Sequence, residues 1–336
     1  MAAPRSRIVV QINAFSPYRL WSLSESVPDR IARAFPTVRV VQSRDGEAFV
    51  KLLPEATVLY TWSMPRRHLA RAAKLKWLHT AEGGVDRLLS PELVKSKIVV
   101  TNCAGVTHDS VADHATGMVL SLSRRLAESR DLQRQRVWGR DLLWSGDRVP
   151  FALTGKTALV VGFGSIGAAI GRRLKACGMT VVGLRAKDAD KTPPPEADEI
   201  HGPEALEPQL ARADVVVLAL PLTRETRRLF DGDRFGSFKP GALFVNVGRG
   251  EVVDDTALAE ALASGRVGGA GLDVFNEEPL PRESPLWGHP RVVITPHVAG
   301  TDPGHMERAT ELFERNLERF LKDEPLLNVV DKNLGY

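Results

Sequence analysis

Short apolar runs alternate with amphipathic stretches along the first third of this chain. The apolar runs predict β-strands at residues 7–12, 38–42, 58–61, 75–79 and 98–101. The amphipathic stretches predict helices at residues 27–34, 45–53 and 65–73. Strands that alternate with helices are typical of an α/β domain with an open, mostly parallel sheet.

The same alternation returns in the second half of the chain. The pattern of residues 109–124 predicts a long helix with one apolar side, and we expect this helix to connect two domains. A new series begins at Gly155, with strands expected at residues 158–161, 180–184, 214–218, 242–247, 269–274 and 292–295. Residues 168–177, 256–263 and 303–321 have helical patterns. Residues 131–150, rich in Arg, Asp and Trp, fit an arm outside the core.

The length of the chain also bears on the number of domains. A chain of 336 residues exceeds the usual size of a single core, so two domains are expected.

Composition excludes several classes of protein. The chain is 43% hydrophobic and 26% charged, as soluble globular proteins are, and no apolar run approaches the roughly 18 residues of a membrane span. The N-terminus lacks the apolar segment of a secretory signal, so a cytoplasmic location is expected. Two cysteines, Cys103 and Cys177, are too few for a disulfide framework or a four-cysteine zinc site, and no metal is expected.

The net charge of +4 and the pI of about 9.1 raise the question of nucleic-acid binding. The basic residues are scattered among acidic neighbours in helical contexts, and no basic stripe alternates with aromatic residues. We therefore expect solvated charged faces and no nucleic-acid partner. A mildly basic protein would also suit small anionic substrates.

A glycine-rich turn follows the strand at residues 158–161. The segment Gly162-Phe-Gly-Ser-Ile-Gly167 has the G-x-G-x-x-G spacing and leads into a helix, so Ser165 and Ile166 lie at the helix start. The first glycine allows the tight turn, Gly164 lets a pyrophosphate approach the backbone, and the third glycine lets helix and strand pack closely. Strand, turn and helix N-terminus together predict a dinucleotide site.

The residues after the next strand bear on which dinucleotide binds. An NAD site usually has an acidic residue there, which holds the ribose 2′-hydroxyl. This chain has Arg185 at that position and Lys187 two residues later. Positively charged side chains there favour binding of a 2′-phosphate. We expect NADP(H) to be preferred, with NAD(H) possible. The alternative is that Asp188 or Asp190 binds the ribose while Arg185 is merely solvated.

Three further segments place polar side chains at the ends of predicted strands, the edge where α/β sheets bind ligands. Arg249 lies between two glycines and could grip a carboxylate. Asp273 ends the next strand, and the acidic Glu277 and Glu278 follow it. His297 follows Thr-Pro on a constrained backbone and suits proton transfer near neutral pH. Each segment alone fits a structural role. Together they supply a substrate-binding cation, a carboxylate that orients the histidine, and an acid/base, which hydride transfer to a 2-keto acid requires.

These segments and several others, in order, resemble the D-isomer-specific 2-hydroxyacid dehydrogenase family. The resemblance covers nearly the whole chain and is strongest from residue 155 to residue 300. The motifs that carry it are Leu153-Thr-Gly-Lys156, the glycine turn, Leu220-Pro-Leu-Thr223, Lys239-Pro-Gly241, Val245-Asn-Val-Gly-Arg-Gly250, Gly271-Leu-Asp-Val-Phe275, Glu278-Pro279, Ser284-Pro-Leu-Trp287 and Thr295-Pro-His-Val-Ala-Gly300.

The resemblance implies roles for individual residues. Arg249 would bind the substrate carboxylate and keto oxygen, and His297 would donate the proton during reduction. Glu278 would hydrogen-bond His297 and keep it protonated. The other implied contacts are Gly83 and Gly84 in Glu82-Gly-Gly-Val-Asp86 with the carboxylate, Asp273 with the nicotinamide amide, and Leu220, Pro221 and Val247 with the cofactor.

The resemblance also implies an architecture. A Rossmann nucleotide domain (residues 103–297) would be inserted into a flavodoxin-like substrate domain built from residues 1–102 and the C-terminal residues 298–336, with substrate bound in the cleft. Members are usually homodimers, and an arm from Trp138 to Trp144 is a candidate contact. Core packing explains those tryptophans about as well.

Two departures from the family pattern are visible. Asp113 stands where Glu is commoner, with little expected consequence, and Arg185 replaces the usual acid, as in the NADPH-using glyoxylate/hydroxypyruvate reductase branch. A second hypothesis is a dinucleotide-sensing, corepressor-like binding protein on the same fold. A third, formate dehydrogenase, uses Gln beside its His, so Glu278 argues against it.

Overall fold

The structure, a computed structural model, describes residues 8–145, 148–187 and 192–336. The chain divides into two compact units. The first unit combines Met1–Thr107 with Asp302–Tyr336, and the second unit is His108–Thr301. The predicted domain boundaries, after residues 102 and 297, lie a few residues before the boundaries between these two units, which follow Thr107 and Thr301.

The first unit contains a five-stranded sheet in the order β2-β1-β3-β4-β5, and its paired strands are all parallel. Its strands are β1 (Val9–Asn13), β2 (Arg39–Gln42), β3 (Val58–Thr61), β4 (Trp77–Thr80) and β5 (Val99–Thr101). Its helices are α1 (Val27–Ala34), α2 (Gly46–Leu52), α3 (Arg66–Leu69), α4 (Pro91–Lys95) and, numbered by chain order, α12 (His305–Leu321). This strand order is that of flavodoxin-like folds.

Aromatic rings from β3, β4 and α12 pack together within the core of the first unit. The ring of Phe313 stacks on Tyr60 and Trp77, with centroids 4.6 and 5.2 Å away. His79 is fully buried beside them, and its Nδ1 lies 2.7 Å from Oγ1 of Thr101. Burial lowers the pKa of His79 to about 3, so the ring is neutral at physiological pH.

The second unit contains a seven-stranded sheet in the order β12-β11-β10-β9-β6-β7-β8, again with parallel pairing throughout. Its strands are β6 (Thr157–Val161), β7 (Thr180–Leu184), β8 (Glu199–His201), β9 (Val215–Leu218), β10 (Ala242–Asn246), β11 (Val267–Leu272) and β12 (Val292–Ile294). Its helices are α5 (His108–Ser123), α6 (Leu126–Arg134), α7 (Arg140–Trp144), α8 (Ser165–Ala176), α9 (Leu206–Arg212), α10 (Gly232–Gly236) and α11 (Asp255–Ala263).

The strand order of the second unit is a Rossmann order extended by one strand, with its reversal between β6 and β9. Strands β9, β10 and β11 are buried along their whole length because helices cover both faces, which explains their continuous apolar sequences. Helix α5 packs closely on the sheet, since a Cβ added at Gly271 would lie 2.9 Å from Cβ of Met118. The predicted α/β fold class is confirmed.

Most predicted elements lie within one or two residues of the observed bounds. The predicted helix at residues 65–73 is wrong in length, since α3 ends at Leu69. Strand β8 was missed, because three residues at a sheet edge give too short a pattern. Residue 7, the start of the first predicted strand, and Asp188 and Asp190 lie outside the described residues.

The segment predicted as an arm, residues 131–150, contains the end of α6 and the whole of α7 and exposes large side chains, while its residues 146 and 147 lie outside the described residues. Trp138 is 91% exposed and Trp144 is 64% exposed, which excludes core packing for both. Among the residues described, no helix is long and apolar enough to cross a bilayer. The same residues include no group of three or more His, Cys, Asp or Glu side chains that could hold a metal ion.

Candidate functional site

Six loops meet at the carboxyl edge of the seven-stranded sheet, because its strands are parallel. The predicted residues of the second unit lie in these loops, apart from Ser165, Ile166 and Gly167, which begin α8. The glycine turn follows β6, Arg185 follows β7, Leu220 and Pro221 follow β9, Val247 and Arg249 follow β10, Asp273 and Glu278 follow β11, and His297 follows β12.

The glycine turn has the geometry that its spacing predicts. Gly162 has φ +98°, a conformation that favours glycine, and a Cβ on Gly167 would lie 2.3 Å from O of Gly162. A Cβ on Gly164 would meet nothing within 4 Å, so the space in front of the α8 N-terminus is open. An open approach to the free N–H groups of a twelve-residue helix fits a pyrophosphate.

Arg185 lies directly beyond β7, where the chain leaves the sheet edge. Its backbone N–H donates to O of His201, and the carbonyl of the preceding Leu184 accepts from both Gly162 and Phe163. The glycine turn and the Arg185 segment are therefore joined through the backbone. Lys187 beside it is exposed.

Arg249 lies in a turn that the side chain of Asn246 stabilises through hydrogen bonds. Buried Asn246 donates from Nδ2 to O of Arg249 at 3.1 Å and accepts from the N–H of Gly248 at 3.0 Å. A Cβ on Gly250 would overlap the backbone of Phe275, so only glycine lets this turn lie against the loop after β11. Sequence reasoning missed Asn246, although a polar residue ending a buried strand was a visible signal.

Glu278 and His297 form a direct pair. Nδ1 of His297 lies 2.8 Å from Oε2 of Glu278, and the other carboxylate oxygen accepts from the N–H of Phe275 at 3.2 Å. The His297 side chain is 44% exposed, whereas that of Glu278 is 20% exposed. Since Nδ1 faces the carboxylate, Nε2 is the ring nitrogen left for a reacting group.

Asp273 organises the loop that carries His297. The carboxylate is 1% exposed and accepts from Val298 N and Ala299 N, both at 2.9 Å, and from Oγ1 of Thr295 at 2.6 Å. Its backbone O accepts from the N–H of His297 at 2.8 Å. The predicted nicotinamide contact of Asp273 stays a prediction, beside this local role.

A second histidine completes the network around Asp273. Nε2 of His114, on α5, lies 2.9 Å from Oγ1 of Thr295 and 3.6 Å from Oδ1 of Asp273. Because the Thr295 hydroxyl donates to Asp273, His114 is the donor to Thr295. Sequence reasoning missed both His114 and Thr295, since a helix pattern gives no sign that a side chain reaches a distant loop. The neighbouring Asp113 is exposed and accepts from Nε of Arg173 at 2.6 Å.

The loops after β9 and β10 also lie close together. A Cβ on Gly248 would lie 2.8 Å from O of Leu220, so the Leu220-Pro221 segment and the Val247-Gly248 segment are in near contact. Leu220 is half-buried and Pro221 is exposed. Their predicted contact with a cofactor stays a prediction.

The turn that contains Gly83 and Gly84 belongs to the first unit. Buried Asn102, another residue that sequence reasoning missed, donates from Nδ2 to O of Gly83 at 2.7 Å. Because the C=O and N–H of a trans peptide point in opposite directions, this bond directs the N–H of Gly84 away from Asn102. The role of both glycines in binding a carboxylate stays a prediction.

Comparisons with known proteins bear on this arrangement. Residues 116–299 match the family model described as D-isomer specific 2-hydroxyacid dehydrogenase, NAD binding domain. A glyoxylate reductase from Thermococcus litoralis is 35% identical over 293 residues, which cover 85% of this chain and 86% of the relative.

Solved structures agree with the sequence comparisons. A D-isomer specific 2-hydroxyacid dehydrogenase from Xanthobacter autotrophicus, in complex with NADPH and MES, is 31% identical with a TM-score of 0.83, over 99% of this chain and 100% of that one. An NADPH-dependent glyoxylate/hydroxypyruvate reductase from Sinorhizobium meliloti, in complex with NADP and sulfate, is 27% identical with a TM-score of 0.81, over 98% and 100%. The chain therefore belongs to the D-isomer-specific 2-hydroxyacid dehydrogenase family and is an NAD(P)-dependent dehydrogenase.

Proposed function

We propose that this protein reduces a short 2-keto acid of the glyoxylate or hydroxypyruvate type to a D-2-hydroxy acid, with NADPH as the preferred cofactor. The observation that carries the proposal is the pair between Nδ1 of His297 and Glu278, at the same sheet edge as Arg249 and the glycine turn. Relatives with glyoxylate reductase and glyoxylate/hydroxypyruvate reductase names support the substrate class.

Each residue has one task in this reaction. The Arg249 guanidinium binds the substrate carboxylate and polarises the keto oxygen, because a planar cation offers two parallel donors. His297 delivers a proton from Nε2 to that oxygen, while Glu278 fixes the ring through Nδ1 and stabilises its charged form. A bound reduced nicotinamide supplies the hydride.

The residues that would hold the cofactor are the glycine turn, Ser165, Ile166 and Arg185. The open face of Gly164 gives the pyrophosphate a close approach to the α8 N-terminus. Arg185, followed by Lys187, offers positive charge where the family usually has an acid. This favours a 2′-phosphate, and the NADPH and NADP in the two structural neighbours support the same choice.

The experiment is a matrix of steady-state rates, with NADPH and NADH each tested against glyoxylate, hydroxypyruvate and pyruvate. We expect kcat/KM to be at least tenfold higher with NADPH for the best keto acid. Arg185→Asp is expected to remove that preference by weakening NADPH use. The matched control is Arg212→Asp, an exposed arginine on α9 that pairs with Glu199.

Two outcomes would contradict the proposal. A preference for NADH that Arg185→Asp leaves unchanged would overturn the cofactor assignment alone. Cofactor binding without reduction of any keto acid would overturn the enzymatic proposal and favour the dinucleotide-sensing alternative.

We also propose a homodimer, in which the exposed tryptophans of the arm contact the partner copy. Their exposure supports this proposal, because large apolar patches on a protein surface mark interaction sites. The cytoplasmic location stays a prediction.

A further inference from the structure

The residues that follow α12, called the C-terminal segment below (residues 322–336), lie along one edge of the five-stranded sheet. Strand β5 is the last strand at that edge. The N–H of Val330 donates to O of Val100 at 2.9 Å, and the N–H of Asn102 donates to O of Asn328 at 3.2 Å. The segment therefore pairs with β5 and reaches the loop that follows this strand.

A buried asparagine of α12 anchors the C-terminal segment. Nδ2 of Asn316 donates to O of Leu327 at 3.0 Å, and its Oδ1 accepts from the N–H of Leu327 at 2.7 Å. The Asn316 side chain is fully buried, so water does not compete for either bond. Because one amide holds both backbone groups of Leu327, helix α12 fixes the position of the next residue, Asn328.

Asn328 binds the loop after β5 through its side chain as well as its backbone. It has a left-handed conformation, with φ +53°, which asparagine adopts more readily than most residues. Its Nδ2 donates to O of Ala104 at 2.8 Å and lies 3.4 Å from O of Asn102. With the bond from the N–H of Asn102, these contacts join the C-terminal segment to the loop at three points.

The loop after β5 in turn holds the turn that contains Gly83 and Gly84. The N–H of Cys103 donates to O of Glu82 at 2.8 Å, and Nδ2 of Asn102 donates to O of Gly83 at 2.7 Å. Two consecutive peptide groups are thus held by their carbonyl oxygens. The N–H groups of these same two peptides belong to Gly83 and Gly84, the residues predicted to bind a carboxylate.

We propose that Asn328 positions the N–H groups of Gly83 and Gly84 for the substrate carboxylate, acting through the loop after β5. The inference rests on the proposed reductase function and on the predicted role of the two glycines. The C=O and N–H of a trans peptide point in opposite directions, so a carbonyl held at its oxygen has an N–H of fixed direction. Donors that are fixed before the substrate arrives bind it without the entropic cost of ordering the turn.

The test replaces Asn328 by glycine and measures the reduction of glyoxylate with NADPH. Glycine adopts positive φ freely, so Asn328→Gly removes the side-chain donor without straining the backbone. We expect the KM for glyoxylate to rise roughly three- to tenfold, as for the loss of one neutral hydrogen bond. The kcat should stay within about twofold, because a carboxylate contact stabilises the substrate complex and the transition state alike. The Kd for NADPH should not change.

Asp323→Gly is the matched control. Asp323 is also an exposed residue of the C-terminal segment with a left-handed conformation, at φ +58°, and it precedes the anchor at Leu327. Its replacement should leave the KM for glyoxylate unchanged.

A double-mutant cycle tests whether Asn328 acts through Asn102. Asn102→Leu has a similar side-chain volume and removes the donor to Gly83, so it should raise the KM at least as much as Asn328→Gly does. If both asparagines act along one chain of bonds, the double variant should have nearly the KM of Asn102→Leu alone. Two independent effects would instead multiply, and that result would overturn the inference.

An unchanged KM in Asn328→Gly would also overturn the inference. A lower kcat at constant KM would mean that Asn328 has only a structural role, with the same consequence. If Asn328→Gly does not fold, Asn328→Asp decides by the same criteria, since Asp tolerates the same backbone conformation and lacks the donor.

The wild-type rates separate this inference from the proposed function. A wild type that reduces glyoxylate, with a KM that Asn328→Gly leaves unchanged, would overturn the positioning role and leave the reductase proposal standing. A wild type that reduces no 2-keto acid would overturn both.

Discussion

His297 holds a backbone conformation that few non-glycine residues adopt, with φ +53°. Such backbone strain persists where the surrounding contacts fix the conformation, and here the hydrogen bonds from Val298 and Ala299 to Asp273 do so.

The sequence and its family resemblance predicted His297, Glu278 and Arg249, because those residue types follow strands at one sheet edge. They did not predict this local role of Asp273, since backbone N–H groups that converge on one carboxylate leave no mark in a sequence.

Asp273→Asn tests whether Asp273 positions His297 or mainly contacts the cofactor. An amide offers one oxygen fewer to the loop and directs an N–H group at a backbone donor. We expect kcat to fall about 10- to 100-fold, equivalent to roughly 1.4–2.7 kcal/mol, while the Kd for NADPH stays nearly constant. Glu277→Gln, which changes an exposed acid in the same loop, is the control. A large rise in Kd with kcat preserved would contradict the positioning role.

His79 predicts how stability responds to acid. Its folded-state pKa of about 3 lies below the ordinary value of 6.5, so below pH 6.5 the unfolded chain binds a proton that the folded chain does not. The stability contributed by neutral His79 is therefore complete above pH 6.5 and is lost as pH falls from 6.5 toward 3. Between pH 7 and pH 5 this loss is about 2 kcal/mol in the free energy of unfolding.

Urea unfolding at pH 7 and pH 5 measures this effect in the wild type and in His79→Gln. The variant should be less stable at pH 7, yet it should lose about 2 kcal/mol less than the wild type on acidification. The comparison between proteins is needed because His305, whose pKa burial also lowers, contributes in the same direction. Parallel losses in both proteins would show that His79 does not control the acid response.

At the scale of elements, the buried strands were easiest to predict. β3 and β7 have the predicted bounds, because apolar runs between turn signals leave little choice. β8 and α3 were poorly predicted, since their short lengths depend on packing rather than on a repeating pattern. The glycine turn was predictable in detail, since Gly162 and Gly167 each meet a specific steric demand, while Gly164 leaves the N-terminus of α8 open.

Two alanine substitutions in the β6–α8 turn should affect different properties, one the stability and the other the NADPH affinity. Gly167→Ala places a methyl 2.3 Å from a backbone oxygen, so the melting temperature should fall by several degrees. Gly164→Ala meets no protein atom within 4 Å, so stability should stay close to wild type while the Kd for NADPH rises at least tenfold. Thermal unfolding and fluorescence titration measure the two quantities. Unchanged NADPH affinity in Gly164→Ala would contradict the placement of the pyrophosphate.

On the surface of the described residues, helices α6 and α7, together called the arm below, expose several large apolar side chains. Trp138, Leu142 and Trp144 are 91%, 59% and 64% exposed, an unusual amount of uncovered apolar surface. The sequence predicted an arm from its composition, but whether its tryptophans were buried depended on tertiary packing. The substrate side chain was likewise beyond the sequence, since pocket shape comes from residues brought together by folding.

Light scattering after size exclusion tests the role of the arm. The wild type should have twice the 36.8 kDa mass of one chain. Replacing Trp138 and Trp144 together by Ser should shift the protein toward the monomer, because it removes the largest exposed apolar surface of the arm. Trp287→Ser, at a 53% exposed tryptophan outside the arm, is the control. A monomeric wild type would contradict the homodimer proposal.

Proton donation by His297, oriented by Glu278, is the step on which the proposed reduction of a 2-keto acid depends. Its most direct test is the rate of NADPH oxidation with glyoxylate by the wild type and by His297→Gln, alongside NADPH binding to both. We expect rapid oxidation by the wild type, a roughly 10²- to 10⁴-fold lower kcat in the variant, and similar NADPH affinities for both proteins. A variant that turns over glyoxylate as fast as the wild type would contradict it.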